Sequence, residues 1–199
     1  MKKFLLTFSF LSCLTIIFPQ KISFEFDYAQ FGYDSLSNYV EFYYSFNQLG
    51  LTYVDTDTTD FVQGLLQIEI NDSVTSNNII NKHWIISNEI TDSANLDRSL
   101  IGMVGFVIHK GSYIVNVTGS DANNPLNNKT INEKIFVEPF LSLNSALSDV
   151  QLASNIVPNS ENTSSIFYKN TFEVTPLPAS VGGEMQPVMF YYTELYNLK

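Results

Sequence analysis

Cysteine is almost absent from this chain of 199 residues, and the single one, Cys13, lies close to the N-terminus. One thiol excludes an intramolecular disulfide and a metal site built from pairs of cysteines. Small secreted domains often rely on disulfides because their hydrophobic cores are small. The scarcity of cysteine therefore predicts a domain that is large enough to be stabilised by packing alone.

Basic residues are also scarce, with 10 lysines and arginines against 20 aspartates and glutamates, which gives a formal net charge of -10. A chain this acidic repels the phosphates of nucleic acids and the anionic surface of a lipid bilayer. The sequence therefore predicts neither nucleic acid nor a membrane surface as a partner.

Histidine and the motifs of nucleophilic catalysis are equally rare. His83 and His109 are the only histidines, no Gly-x-Ser-x-Gly elbow accompanies them, and each is interpreted as an ordinary strand or surface residue. Carboxylate pairs such as Glu133 and Glu138 have no fixed separation in a sequence, so they do not indicate glycosidase chemistry. The sequence predicts no catalytic site and no cofactor, and the chain is interpreted as non-enzymatic.

One acidic loop is a candidate metal-binding site. Asp55, Asp57 and Asp60 lie close together, and carboxylate oxygens are the ligands that calcium prefers. The spacing of an EF-hand loop is absent, with no glycine at the bend and no closing glutamate. The favoured interpretation is a solvated acidic turn between two strands, with calcium as the alternative.

The N-terminus has the pattern of a secretory signal peptide. Lys2 and Lys3 are followed by an apolar run from Phe4 to Phe18 that contains no acidic residue. The run is shorter than the about 20 residues that span a bilayer, so residues 1–20 are predicted to be removed, leaving no membrane span. The alternative is an uncleaved anchor, because no small-x-small cleavage site is visible. A lipoprotein site at Cys13 is disfavoured, because the apolar run continues beyond it.

Aromatic residues are abundant, at 14% of the chain, and apolar residues alternate with polar ones in several short runs. The runs Val40 to Phe46 and Val62 to Ile70 place every second residue on one apolar face, as half-buried strands do. Between Leu100 and Asp121 two apolar runs meet at Lys110-Gly111, which predicts a β-hairpin, and the polar residues 121–130 are interpreted as a loop. This pattern over residues 22–140 predicts an all-β, immunoglobulin-like antiparallel β-sandwich.

Residues 141–199 are predicted to begin a second β-domain. Pro139 and the polar stretch after it mark the boundary, and strands are expected at 149–156, at 170–174 and from Val188 to Tyr196. Three strands are too few to close a sandwich core, so this domain is expected to be incomplete and the chain to be truncated. The alternative is that these strands complete one large sandwich with the first domain.

Aromatic rings are the main indication of a ligand. Tyr28, Phe31, Tyr33 and Trp84 are candidates for stacking against sugar rings, because a flat aromatic face binds carbohydrate well. Within an alternating strand, however, a single tryptophan is more often part of the core. Tyr33 and Trp84 are kept as the candidate ligand-binding residues, and carbohydrate is kept as an alternative ligand.

A family resemblance is carried by four segments, FEFDYAQFGYDSLSNYVEFYYSF, KGSYIVNVTGSD, SALSDVQLASNI and PVMFYYTELYNL. They are similar to the N-terminal region of bacterial proteins that contain a GWxTD domain. The Gly-Trp-x-Thr-Asp signature itself is missing, since Trp84 follows His83, so no functional residue of the family can be placed in this chain. The resemblance implies a secreted, periplasmic, outer-membrane-associated or cell-surface protein in which β-sandwich modules precede the signature domain.

The sequence therefore predicts a non-catalytic binding or scaffold module of the cell envelope. Its partners are expected to be proteins, contacted through exposed strand edges by strand addition. Two alternatives remain: a carbohydrate-binding accessory module, and the N-terminal part of an enzyme whose active site lies beyond residue 199.

Overall fold

Fourteen β-strands form within residues 22–91, 96–142, 145–179 and 188–198, the part of the chain that this computed structural model describes. No helix in this part is long and apolar enough to cross a membrane. The predicted signal peptide, residues 1–20, lies outside the described residues. In chain order the strands are β1 (Phe24–Gly32), β2 (Ser37–Asn47), β3 (Tyr53–Val54), β4 (Phe61–Asp72), β5 (Asn78–Glu89), β6 (Ser99–His109), β7 (Gly111–Asp121), β8 (Asn124–Val137), β9 (Ala146–Leu147), β10 (Gln151–Pro158), β11 (Tyr168–Lys169), β12 (Phe172–Pro176), β13 (Phe190–Tyr192) and β14 (Leu195–Tyr196).

Two sheets face each other across one hydrophobic core. Sheet 1 has the order β1-β2-β6, and sheet 2 has the order β5-β4-β7-β8, with the short β3 beside the first residues of β4. All of these strand pairs are antiparallel. The sequence-based prediction of an all-β, antiparallel sandwich is therefore confirmed, whereas the immunoglobulin-like connectivity stays a prediction.

The core confirms the alternation that the sequence shows. One face of each central strand is buried between the sheets, and aromatic rings dominate on sheet 1, where the centroids of Phe24 and Phe46 are 4.8 Å apart. Each large apolar side chain that is fully buried contributes about 1.5–3 kcal/mol to stability. The members of this core on β2, β4 and β7 are Val40, Phe42, Tyr44, Phe46, Val62, Leu66, Ile68, Ile70, Tyr113, Val115 and Val117.

The prediction of a hairpin between residues 100 and 121 is wrong. β6 and β7 are separated only by Lys110, and they do not pair with each other: β6 pairs with β2 in sheet 1, and β7 pairs with β4 and β8 in sheet 2. The chain crosses from one sheet to the other at Lys110, whose amide donates a hydrogen bond to the carbonyl of Leu36 (3.0 Å). Both runs are apolar because both line the core, and one residue is too short for a two-residue hairpin loop.

The hairpin lies one connection later in the chain. β7 and β8 pair along their length, and the turn between them is Ala122-Asn123. The carboxylate of Asp121 accepts a hydrogen bond from the amide of Asn123 (2.9 Å), which is the local bond by which aspartate favours turns. Residues 124–130, predicted to be a loop, are the first half of β8, and their sequence is polar because most of these side chains are exposed.

The C-terminal strands form a third sheet, with the order β11-β12-β10-β13, and a two-stranded ribbon of β9 with β14. The predicted strand from Val188 to Tyr196 is divided, because β13 pairs with β10 whereas β14 pairs with β9. These elements cover the outer face of sheet 1, where Phe31 and Tyr43 are buried and Tyr192 packs against them. The division into two domains at residue 141 stays a prediction.

Polar contacts join the C-terminal elements to the edge strand β1. Tyr196 Oη accepts a hydrogen bond from the amide of Gly32 (2.8 Å). Asp149 bonds the backbone of Gln30 twice: its amide donates to the Gln30 carbonyl (3.1 Å), and its carboxylate accepts from the Gln30 amide (3.0 Å). Backbone groups on a strand edge need such partners once they are covered.

Replacing Gly119 of β7 with alanine is expected to lower the free energy of unfolding by about 1–3 kcal/mol, because it overpacks the core. A methyl group at this position would lie 2.3 Å from the ring of Phe24, which is fully buried. Denaturant unfolding of the purified protein measures the change. Asn132→Ala, at an exposed position on β8, is the control and is expected to change the value by less than about 0.5 kcal/mol. An unchanged unfolding midpoint for Gly119→Ala would contradict this packing.

Candidate functional site

A cleft of about 420 Å³ lies where the C-terminal strands meet the outer face of sheet 1. Its lining combines aromatic rings, a buried ion pair and two polar side chains of the C-terminal segment. The lining residues are Phe31, Gly32, Tyr33, Tyr39, Glu41, Tyr168, Lys169, Asn170 and Glu194. We call this the aromatic cleft.

A tight turn after β1 holds Tyr33 beside the aromatic cleft. The carboxylate of Asp34 accepts hydrogen bonds from the amide of Leu36 (2.8 Å) and the hydroxyl of Ser37 (2.7 Å). These hydrogen bonds lower the pKa of Asp34 below its ordinary value, so the turn is favoured when the carboxyl is ionised. The Tyr33 ring remains 57% exposed and is available to a ligand.

Lys169 lies at the centre of the contact between sheet 1 and the third sheet. Its ammonium donates hydrogen bonds to the carboxylate of Glu41 and to Oε1 of Gln151, the latter at 2.8 Å. The Nζ atom also lies 4.4 Å from the ring centroid of Phe31 and 5.4 Å from that of Tyr192. A cation over aromatic faces is attracted by the ring quadrupoles, so charge and rings together hold the side chain in place.

Burial of this ion pair is nearly complete, with 11% of the Lys169 side chain and 7% of the Glu41 side chain exposed. Desolvation lowers the pKa of Lys169, and the attraction of Glu41 opposes the shift. Burial, together with the neighbouring Glu41, raises the pKa of Tyr43, whose hydroxyl donates a hydrogen bond to Glu41 (2.6 Å). Removing one member of a buried pair leaves an unpaired charge, which costs about 3–5 kcal/mol.

The hairpin between β11 and β12 positions Lys169. Its two loop residues, Asn170 and Thr171, have positive φ angles of 46° and 69°, as the central residues of a type I′ turn do. Asparagine tolerates this conformation, and its amide donates hydrogen bonds to Tyr192 Oη and to Glu194, both at 2.7 Å. Threonine is β-branched and rarely adopts it, so backbone strain is located next to the aromatic cleft.

A second candidate site lies on the side of the sandwich that β5 and β6 form. Both are edge strands among the described residues, since β5 pairs with β4 and β6 pairs with β2. The rings of Trp84 and Phe106 meet there, with centroids 6.3 Å apart. Together with Ile86 and Val104 they are half-buried and pack against the core. We call these four residues the open seam.

The structure separates the aromatic candidates that the sequence offers. Tyr33 and Phe31 both line the aromatic cleft, but Phe31 is buried, so it is not available to stack against a sugar. Trp84 belongs to the open seam. Tyr28 packs against the core beside Phe42, with ring centroids 6.4 Å apart.

The acidic loop is a hydrogen-bonded turn. Asp60 accepts a hydrogen bond from the hydroxyl of Tyr53, which lowers the pKa of Asp60 and raises the pKa of Tyr53 to about 12. In the part of the chain that the structure describes, no three His, Cys, Asp or Glu side chains are grouped so that they could hold a metal ion. Asp55, Asp57 and Asp60 are therefore not grouped in this way, and calcium binding at this loop stays the alternative prediction.

Sequence reasoning missed Lys169, Glu41 and Gln151. Glu41 and Lys169 are 128 residues apart in the chain, and a contact of that separation leaves no local pattern. One signal was available in the run YVEFYYSF of β2, where Tyr39 and Tyr43 share the face that carries Glu41. Aromatic residues on both faces of a strand indicate that both faces of its sheet are covered.

In comparisons with known proteins, no family model, no curated protein and no solved structure matches this chain. The function of the two sites therefore has to follow from their geometry.

Asp149 is expected to make the protein less stable as the pH rises. Burial raises the pKa of this carboxyl above its ordinary value of 3.8, and the hydrogen bond from the Gln30 amide opposes the shift. A group whose pKa is raised by folding binds its proton more tightly in the folded state. Its contribution to stability is therefore present below the ordinary pKa and is lost as the pH rises through the raised pKa.

Asp149→Asn keeps an oxygen that accepts from the Gln30 amide, and it never ionises. We expect this variant to be more stable than the unchanged protein at neutral pH and to lose that advantage at pH values where Asp149 is protonated. Denaturant unfolding at a series of pH values measures both. Asp97→Asn removes the same charge from an exposed position, and an equal response in the two variants would contradict the role of burial.

Proposed function

We propose that this protein is a non-catalytic binding or scaffold module of the cell envelope that accepts a β-strand from a protein partner at the free edge of β6. One observation carries the proposal: β6 is an 11-residue strand that pairs on one side only, within the described residues. The His109 carbonyl at the end of β6 accepts a hydrogen bond from Tyr113 Oη (2.9 Å). The amides and carbonyls that point away from β2 along the rest of the strand are available to an incoming strand, which gains affinity through main-chain hydrogen bonds.

The other edges are protected in ways that natural sheets use against unwanted pairing. Asp149 covers part of the β1 edge through its bonds to Gln30. Charged residues or proline occur on β5 and β8, namely Lys82, Glu89, Pro125, Lys129, Glu133 and Lys134. By contrast, the β6 sequence SLIGMVGFVIH contains no lysine, arginine, acidic residue or proline. Among these edges, β6 is the one best suited to strand addition.

The open seam provides apolar surface for the side chains of an added strand. Its four residues pack against the core cluster, yet they are only partly buried. A strand beside β6 would direct every second side chain toward them. Burial of the remaining apolar surface would contribute about 25 cal/mol per Å², so the edge would supply affinity and the seam would select side chains.

Charge favours a partner other than a second copy of this chain. The formal net charge is -10, and two copies therefore repel each other. A neutral or basic strand with alternating apolar residues fits the edge best. The predicted signal peptide and the resemblance to the region that precedes GWxTD domains support an envelope location, whether secreted, periplasmic or at the cell surface.

Val107→Lys is expected to weaken partner binding at least about tenfold, which corresponds to about 1.4 kcal/mol. Val107 is exposed on β6, so the lysine adds a charge to the edge without altering the core. Partners are captured from the envelope fraction of the source organism on the immobilised protein, purified, and titrated against it. The readout is the emission of Trp84, the only tryptophan in the chain, which should shift to shorter wavelength as the open seam is covered.

Ile85→Lys is the matched control. Ile85 is a β-branched residue exposed on the neighbouring edge strand β5, which already carries charged residues. We expect this variant to bind as the unchanged protein does. Equal losses of affinity in both variants, or binding without a change in Trp84 emission, would reject strand addition at β6.

The aromatic cleft supports carbohydrate binding as a second candidate function. Its volume of about 420 Å³ lies within the range of about 300–1,000 Å³ that is typical of ligand sites. The exposed Tyr33 ring offers a flat face for stacking, and Asn170 offers a polar group that can orient a hydroxyl. Two carboxylates, Glu41 and Glu194, outnumber the single ammonium of the lining, which favours a neutral or amino sugar over an acidic one.

Tyr33→Ala is expected to weaken binding of a neutral or amino sugar at least about tenfold, because the stacking ring is lost. A glycan array identifies the sugar, and calorimetric titration measures the affinity. Tyr191→Ala removes another exposed ring, which does not line the cleft, and should leave binding unchanged. An array without a binder, or equal losses in the two variants, would contradict this second function.

A further inference from the structure

Lys169, Glu41 and Gln151 form a buried set of reactive groups that strand addition does not use. Nζ of Lys169 lies 2.8 Å from Oε1 of Gln151 and is also hydrogen-bonded to Glu41. Gln151 is only 1% exposed. Three aromatic rings surround the ammonium, with centroids between 4.4 and 5.8 Å from Nζ: Phe31, Tyr43 and Tyr192.

We propose that Lys169 and Gln151 become joined by an intramolecular isopeptide bond, which the folded chain forms by itself with Glu41 as the base. The three components that such a reaction needs are a nucleophilic amine, an acyl group and a group that moves protons. Here the amine contacts both other groups, because it donates a hydrogen bond to each of them.

The reaction balances without an oxidant or a cofactor. Glu41 accepts a proton from the Lys169 ammonium, and the lone pair of the neutral Nζ attacks Cδ of Gln151. The Nζ–Cδ bond forms, and the bond between Cδ and Nε2 breaks as Glu41 passes the proton to Nε2. Ammonia leaves and takes up the second proton that Nζ releases, so the products are one amide and one ammonium ion, and Glu41 is regenerated.

The surroundings favour each step. Desolvation lowers the pKa of Lys169, which raises the share of the neutral, nucleophilic amine. The Gln151 amide donates a hydrogen bond to the carbonyl of Val174 (3.4 Å), which holds the acyl group in place beside Nζ. Holding two reacting groups in contact replaces a collision by an intramolecular step, the main source of rate enhancement by positioning.

The exposure of these groups to solvent also suits the reaction. Glu41 and Lys169 line the aromatic cleft, so ammonia has a route to solvent. The aromatic rings limit the approach of water on the other sides, which protects the acyl group from hydrolysis. The product would be a covalent strap across β12, because β10 carries Gln151, β11 carries Lys169, and both strands pair with β12.

Mass spectrometry of the purified full chain tests the proposal. The intact mass is expected to lie below the mass of the processed sequence by the mass of one ammonia. Cleavage after glutamate separates residues 139–161, which contain Gln151, from residues 162–173, which contain Lys169. We expect these two fragments to be recovered joined, with the loss of ammonia in the joined species, which distinguishes the bond from loss of ammonia at an asparagine elsewhere.

Two variants test the roles of the residues. Glu41→Gln removes the base and is expected to yield the two fragments separately, whereas Lys110→Met removes an exposed lysine and should yield them joined. Separate fragments at their sequence masses from the unchanged protein would overturn the proposal, even if Glu41→Gln does not fold. Loss of water with a bond to Glu41, or joined fragments from a folded Glu41→Gln protein, would overturn it as well.

Discussion

The desolvation of Lys169 is the constraint on which the placement of the C-terminal strands depends. A buried ammonium must be paired, and its partner Glu41 belongs to the opposite sheet, on β2. In the chain without the bond between Lys169 and Gln151, separation of the third sheet from sheet 1 would leave both charges without their partner while the aromatic face around Phe31 and Tyr43 became exposed. The ion pair therefore fixes where the C-terminal strands dock, and the aromatic rings supply most of the apolar contact around it.

Sheet 1 consequently has two covered faces, and the two candidate sites lie where the covering is incomplete. The C-terminal strands leave the aromatic cleft open beside Tyr33. Sheet 2 leaves the open seam between Trp84 and Phe106 only half-buried. Aromatic residues line both places, because the same side chains that build the core continue to its margin. The sites thus differ in character: the aromatic cleft combines aromatic rings with charged and polar groups, whereas the seam is formed by apolar side chains of two edge strands.

Local periodicity was sufficient to predict the class of fold. The alternation in β2 and β4 gave the correct buried faces, because each pattern reflects one strand in contact with one core. It could not show which strands pair, and the apolar runs on either side of Lys110 were wrongly assigned to one hairpin for that reason. The polar start of β8 was missed because edge strands resemble loops in composition. Of the cleft, only Phe31 and Tyr33 were singled out, since the contact between Glu41 and Lys169 joins distant parts of the chain.

The crossing of the chain from one sheet to the other at Lys110 has a consequence for the order of folding. β1 and β2 can pair early, but sheet 1 is completed only when β6 arrives, because Ser37 pairs with His109 and Asn47 pairs with Ser99. During synthesis, which begins at the N-terminus, the β1-β2 hairpin is therefore made first. Its aromatic face stays uncovered while the next three strands, β3, β4 and β5, are added. Non-local pairing of this kind is slow, on the order of milliseconds to seconds. During that interval the nascent protein resembles an aggregation-prone intermediate, and chaperones that shield exposed aromatic strands would have their greatest effect then.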